Sequence, residues 1–294
     1  MNNKLLHDKN TNVVFLSPCL NTKKYGNSKF YKELMTILKE MGIETRELKC
    51  TRDYWARDYM PIQLGENEFL KYHYCPDYLI NKDDIDSITD VSKVISGMGL
   101  NCRSTNLIID GGNMVSCGSY IVMTDKVFSE NRKKKDDADF KALLESELGH
   151  PVVNIPWTPH KDDVYGHSDG FIKWCGDNRI LMGNHGDCYP EEAASIRRIL
   201  ESYGFEVTEI RFKDKVDTPC YEFNWAYINF LQVGKNIIMP KFDIDEDAIA
   251  LQYIQTAFPN CNIRQIEMKE IAKKGGALHC LSWNVYLPKS QVKM

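Results

Sequence analysis

Cys280 follows a Gly275-Gly276 pair and adjoins His279. Glycines let the backbone approach a partner closely, and a thiol in such a loop beside an imidazole is placed to act as a nucleophile. The other nine cysteines read as structural thiols, small and apolar. A second imidazole stands in His167-Ser168-Asp169, where alternate residues of an extended segment share a face, so His167 and Asp169 point the same way. A third stretch, 52–61, carries Asp53, Trp55, Arg57 and Asp58. Two carboxylates, Asp58 and Asp169, match a planar, permanently charged guanidinium with its fork of N–H donors. A thiol can add to the central carbon of that group, and an imidazole can move the protons. Each piece alone has a plainer reading. His-x-Asp is usually a capping pair, Gly111-Gly112-Asn113 a turn, Arg57-Asp58 an ion pair and Trp55 a core residue. What favours a site is that they recur at equivalent places of a repeat.

The elements that must position these residues are legible as that repeat. Helical period and good helix formers mark Ser28–Met41, Asp90–Met98, Asp136–Leu148, Pro190–Tyr203 and Asp245–Phe258. Glycines at 42, 99, 149 and 204 suit the C-caps of the first four. After each helix comes a short β-like run: Ile43–Leu48, Ser104–Ile109, Pro151–Pro156, Phe205–Ile210 and Cys261–Ile266. A polar or glycine-rich loop follows, then a β-hairpin, as in Phe171–Cys175 with Arg179–Met182 and Trp225–Gln232 with Asn236–Met239. The unit recurs about every 50–60 residues, the mark of an array or closed ring. The candidate residues lie in the loops before the hairpins, at 52–61, 110–113, 166–170, 224–230 and 275–280. A ring would gather them at one end of its axis, in one pocket. No linker or low-complexity tract interrupts the units, so residues 1–294 read as a single catalytic domain of five repeats.

Composition excludes several function classes. The 294 residues are 43% hydrophobic and 27% charged, which is ordinary globular usage. A net charge of −4 offers no basic excess for a phosphate backbone, so nucleic acid is not an expected partner. No apolar run approaches the roughly 20 residues of a membrane helix, and the start of the chain has no apolar signal core. The ten cysteines form no framework and no CxxC pair. The expectation is a cytoplasmic protein with reduced thiols. His160, His167 and His185 lack zinc-motif spacing, and there is no HExxH, GxSxG, P-loop or dinucleotide fingerprint. No metal and no organic cofactor is expected.

Asp53-x-Trp55-x-Arg57-Asp58-x-x-Pro61, Gly111-Gly112-Asn113, Gly166-His167-x-Asp169, Tyr227-x-Asn229-Phe230 and Gly275-Gly276 with His279-Cys280 together resemble the agmatine deiminase and bacterial-type peptidylarginine deiminase family, within the guanidine-modifying pentein superfamily. The resemblance runs over about 51–288, with the motifs in the family's order. It implies an α/β fold, a pseudo-five-fold propeller of ββαβ units, and hydrolysis of a guanidinium to a ureido group and ammonia. Cys280 would be the nucleophile, His167 the general acid and base, and Asp58 and Asp169 the ligands of the guanidinium nitrogens. Asp110 would orient His167, although the family usually carries Glu there. Trp55, Asn113, Asn229 and Arg57 would be substrate contacts, Arg57 reading more readily as an ion-pair partner of its neighbours. Ser282-Trp283-Asn284 replaces a Thr-Gln-Gln-like stretch, and the family's Trp- and Pro-rich N-terminal segment is missing.

Alternatives remain open at this point: an amidinotransferase passing the adduct to an amine, a catalytically silent guanidine-binding protein, or a thiol hydrolase without guanidine preference. The substrate mouth is mixed, with Asp53, Asp162 and Asp163 against Arg52, Lys161 and Arg132. A small guanidino compound is the preferred ligand, with an arginine-bearing peptide as the alternative. Oligomeric state is not legible.

Overall fold

A computed structural model describes residues 5–22, 27–79, 85–159, 163–212 and 222–288. Its strands are β1 (Val13–Leu16), β2 (Glu44–Glu47), β3 (Ile62–Gly65), β4 (Glu68–His73), β5 (Cys102–Ile108), β6 (Val115–Cys117), β7 (Tyr120–Thr124), β8 (Val152–Ile155), β9 (Ile172–Gly176), β10 (Arg179–Met182), β11 (Glu206–Glu209), β12 (Leu231–Val233), β13 (Asn236–Lys241), β14 (Asn262–Glu267) and β15 (Ser282–Val285). They make five three-stranded sheets, ordered β3-β4-β5, β6-β7-β8, β9-β10-β11, β12-β13-β14 and β15-β1-β2. In each sheet the first pair is antiparallel and the second parallel. A parallel pair needs a crossover, and a helix supplies it in every unit: Ser28–Glu40, Val91–Ile95, Ala138–Leu148, Pro190–Ser202 and Glu246–Ala257. The result is a pseudo-five-fold propeller of ββαβ units, the architecture that the resemblance implies, and a closed ring as the repeat suggests. Its fifth sheet is built from both ends of the chain, with Val13 opposite Val285 and Leu16 opposite Ser282.

Local chemistry explains the elements. Asn27 caps the first helix by accepting from Phe30 N, and Phe30, Tyr31, Leu34, Ile37 and Leu38 bury one stripe of it. Asp137 caps Ala138–Leu148 in the same way. The four anticipated C-cap glycines all hold positive φ, between 68° and 85°. The middle strands β1, β7, β10 and β13 are buried on both faces and read as near-continuous apolar runs. The outer strands β2 and β11 are half exposed. The first strands face the axis, where β6 packs on β9 and β12 on β15.

Two boundaries differ from the sequence reading. The second helix shrinks to Val91–Ile95, because Gly97 and Gly99 take positive φ and end it early. Residues Asn224–Tyr227 form a helical turn rather than a strand, and β12 begins only at Leu231. The run 226–231 is buried throughout, so its apolar pattern carries no period to separate strand from helix. Among the described residues no helix is long and apolar enough to cross a membrane.

Candidate active site

Each axial strand is entered from a single helical turn. These turns are Ala56–Tyr59 before β3, Gly111–Asn113 before β6, Ser168–Gly170 before β9, Asn224–Tyr227 before β12 and Leu278–Leu281 before β15. The first packs against the second and the last, and the second packs against the third. The candidate residues therefore meet at the entry end of the axial strands.

His167 sits between two carboxylates. Its Nε2 is 2.9 Å from Asp110 Oδ2, and its Nδ1 is 3.5 Å from Asp58 Oδ1. The shorter Asp110 reaches the imidazole, because the 110–113 turn lies directly against the 168–170 turn. Gly112 makes this approach possible: a Cβ there would stand 2.5 Å from His167 Nδ1 and 2.7 Å from Asp58 Oδ1. Cys280 lies on the other flank, its Sγ 3.7 Å from Asp169 Oδ2. The same Oδ2 is 2.6 Å from His279 Nδ1. Asn229 ties these turns together. Its Oδ1 accepts from Cys280 N at 3.3 Å and its amide donates to Asp169 O at 3.3 Å. The Trp55 ring lies over Gly276, where a Cβ would come within 2.3 Å of it.

Other candidates are placed differently. Asn113 is turned into its own loop, its Oδ1 accepting from Thr124 N at 2.7 Å and Ser168 N at 3.3 Å. Backbone donors use the side chain there, so it holds the loop rather than offering a substrate contact. Arg57 donates to Asn284 Oδ1, on the side of the axis away from Cys280. Of the residues considered for the mouth, Asp163 is occupied by Trp157 Nε1 at 3.0 Å and by the backbone of Tyr165 and Gly166. Arg52 turns toward Asp86 O. His160, Lys161, Asp162 and Cys220 lie outside the described residues.

Asp110 and Asp169 are 1% exposed, Asp58 and Cys280 7%, and His167 8%, so all five side chains are shielded from solvent. Burial pushes Asp58 up to about 8; His167 opposes this, while Asp110 and Asp169 reinforce it. Burial alone would lower His167, but Asp58 and the Asp110 hydrogen bond outweigh it and raise the imidazole to about 9. Burial, then the Asp169 and Asp58 carboxylates, push the Cys280 thiol well above its ordinary range. Burial would raise Asp169 too, yet the hydrogen bond and charge of His279 prevail and lower it. Oδ1 of Asp58, of Asp110 and of Asp169 is buried without a hydrogen-bond partner.

Four residues here went unassigned from sequence. Tyr78 donates to Asp110 Oδ2 at 3.1 Å, and Tyr165 stands edge-on to Tyr78 and against Gly275. Both rings lie about 6 Å from the His167 ring, at 6.1 and 6.0 Å between centroids. His279 was noticed only as a neighbour of Cys280, and Asp8 belongs to no motif. A cavity of about 350 Å³ opens on the other side of this site, lined by Asp8, Arg57, Lys173, Trp174, His279 and Asn284 among others.

Comparison with known proteins places these features in a family. Residues 17–285 match the family model of Porphyromonas-type peptidyl-arginine deiminase. A Vibrio parahaemolyticus protein provisionally named an agmatine deiminase is 37% identical over 274 residues, covering 79% of this chain and 75% of that protein. An agmatine deiminase of Ectopseudomonas mendocina is 23% identical over 217 residues, 61% of this chain. That alignment spans 57% of the Ectopseudomonas protein's length. In fold, the chain resembles a C. jejuni agmatine deiminase at TM-score 0.78 and 20% identity, with 97% of each chain covered. It also resembles an amidinotransferase from Microseira wollei at TM-score 0.62 and 14% identity, again with 97% of each covered. The fold alone therefore does not decide whether water or an amine accepts the adduct.

Proposed function

The chain belongs to the Porphyromonas-type peptidyl-arginine deiminase family, and we propose that it hydrolyses the guanidinium of a small guanidino compound to a ureido group and ammonia. The observation that carries this reading is the pair of buried carboxylates, Asp58 and Asp169, each with an unpartnered oxygen, flanking a thiol and an imidazole. A buried carboxylate oxygen without a donor is costly, and a planar cation rich in N–H groups meets both at once. A carbonyl substrate would instead call for donors aimed at a developing oxyanion.

In this reading Cys280 is the nucleophile, Asp58 and Asp169 hold the guanidinium nitrogens, and Trp55 lies along the substrate stem. Burial, and then the Asp169 and Asp58 carboxyls, favour the protonated thiol in the free site. An arriving cation offsets those charges, and the thiol proton leaves to solvent. The thiolate adds to the guanidinium carbon. His167, held as an imidazolium, donates a proton to a terminal nitrogen, the C–N bond breaks and ammonia departs. A thiouronium remains on Cys280. The now neutral His167 takes a proton from water, and the hydroxide adds to the same carbon. The C–S bond then breaks, the hydroxyl proton passes to the leaving sulfur, and the ureido product departs from the restored thiol. Asp110 and Tyr78 keep the imidazole aimed, and Asn229 fixes the Cys280 turn.

The matched relatives carry agmatine deiminase names, which supports a small amine-bearing guanidine over an arginine-bearing peptide. A panel of agmatine, free arginine and arginine-ended peptides, read out as ureido product with stoichiometric ammonia, tests this. Turnover confined to peptides would overturn the small-molecule choice. Guanidino transfer to an added amine, without ammonia hydrolytically coupled to a ureido product, would overturn deimination.

A further inference from the structure

The carboxylate beside Cys280 is held from the far side of the propeller. The site turns stand at the entry ends of the axial strands, whereas the hairpin turns at Gly176-Asp177 and Gly234-Lys235 stand at their exit ends. Asp8–Asn10 forms a short helical turn at that exit end. Asp8 O accepts from Gly234 N at 3.3 Å, and the His7 ring lies 4.0 Å from that of Trp174 on β9. From there the Asp8 side chain enters the axis. Its Oδ2 pairs with Lys173 Nζ at 2.7 Å and faces His279 Nε2 at 3.5 Å. Its Oδ1 accepts from Asn284 Nδ2 at 3.0 Å. The other nitrogen of His279 meets Asp169 Oδ2 at 2.6 Å. One imidazole thus joins the carboxylate at the nucleophile to a carboxylate delivered by the N-terminal turn.

We infer that His279 and Asp8 are positioning residues of the guanidinium site: Asp8 holds the His279 ring with Nδ1 toward Asp169, and His279 holds Asp169 as an oriented anion beside Cys280. A ring nitrogen's role is set by what its other nitrogen faces, and Asp8 occupies that second position. Lys173, 3% exposed, carries the counter-charge for Asp8, whose side chain is 25% exposed. Asp8 lies well below the ordinary carboxylate range, since Lys173 and His279 outweigh its burial. None of these three side chains needs to touch substrate, so the N-terminal turn acts on the site through His279 alone. The inference rests on Asp169 being a ligand of a cation.

The test compares two small alkylating probes of like shape, the cation 2-chloroacetamidine and the neutral 2-chloroacetamide, on the full chain. Adducts at Cys280 are followed by peptide mass spectrometry, and each rate is divided by that of a free thiol. The cation-to-neutral ratio reads the charge held by the clamp, because the reactivity of the thiol cancels. The wild-type ratio should be well above one. Asp8→Asn and His279→Gln should each lower it by about tenfold, the change expected for one pKa unit of lost carboxylate charge. Asp8→Glu should restore most of the ratio. An unchanged ratio in both variants overturns the inference. So does an equal fall of both alkylation rates, the mark of a merely structural role. If Asp8→Asn does not fold, His279→Gln decides by the same two criteria. A wild-type ratio near one would overturn the guanidinium-site reading, and this inference with it.

Discussion

Asp58 and Asp169 are the same chemical group at comparable burial, yet their surroundings drive them in opposite directions. Asp58 shares its corner with His167, Asp110 and the Asp169 charge, and burial carries it up to about 8. Asp169 has its own imidazole, His279, and is lowered despite being 1% exposed. The difference teaches that desolvation sets the penalty and a dedicated hydrogen-bonded partner decides who bears it. On the Asp58 side the imidazole is shared with Asp110, which takes the shorter contact at 2.9 Å. On the Asp169 side His279 Nδ1 stands 2.6 Å from the carboxylate, a closer contact than the 3.5 Å between His167 and Asp58, and Asp169 is lowered rather than raised.

The sharpest break concerns the thiol common to both arms. Cys280→Ser should reduce turnover by about 10³-fold or more, since a hydroxyl so placed has no matched base. Adduct formation at any other cysteine during turnover would remove the comparison's centre.

Next, the two carboxylates should differ when neutralised. Asp169→Asn is expected to lower kcat/KM by about 10³-fold and Asp58→Asn by about 10²-fold, because the surroundings lower Asp169 and raise Asp58 before substrate arrives. Rates of ureido formation with matched thermal unfolding would show it. A larger loss at Asp58 would reverse the ranking of the arms.

The pH profile sharpens the same point. Asp58 must be ionised, so kcat/KM should fall as pH drops through about 8. His167 must be protonated, so it should fall again as pH rises through about 9. The resulting bell is narrow, and its limbs belong to the Asp58–His167 pair rather than to either residue. Asp58→Asn should shift the acid limb more than Asp169→Asn does, the Cys280 thiol still supplying a rise with pH in both. The smallest effect is expected from Tyr78→Phe, which removes one donor from Asp110. A loss of about threefold to tenfold in kcat, with KM unchanged, would fit a role in aiming His167.

Much of this was legible from the chain. The five outer β-runs were placed to within a few residues, because a helix, its stop signal (a glycine in four units, Pro259-Asn260 in the fifth) and the strand after it are adjacent in sequence. The loops before the hairpins stood out for the same reason: each packs its distinctive residues into ten positions or fewer. Asn113 and Arg57 show where such reading ends. Both sit inside recognisable motifs, yet Asn113 is turned to Thr124 N and Arg57 to Asn284. Side-chain direction depends on partners outside the motif, and no local pattern carries that.

By itself, then, the chain determined the repeat, its ββαβ content and the residue types carried by each loop, since capping, periodicity and turn chemistry act between near neighbours. Closure of the ring was decided only in three dimensions, when β15 paired with β1. The two different fates of Asp58 and Asp169 were decided there as well. So was the link from Asp8 to the site, where Asn284 grips a carboxylate 276 residues away. Burial and pairing of charges are properties of the assembled axis, and no segment contains them before the ends of the chain meet.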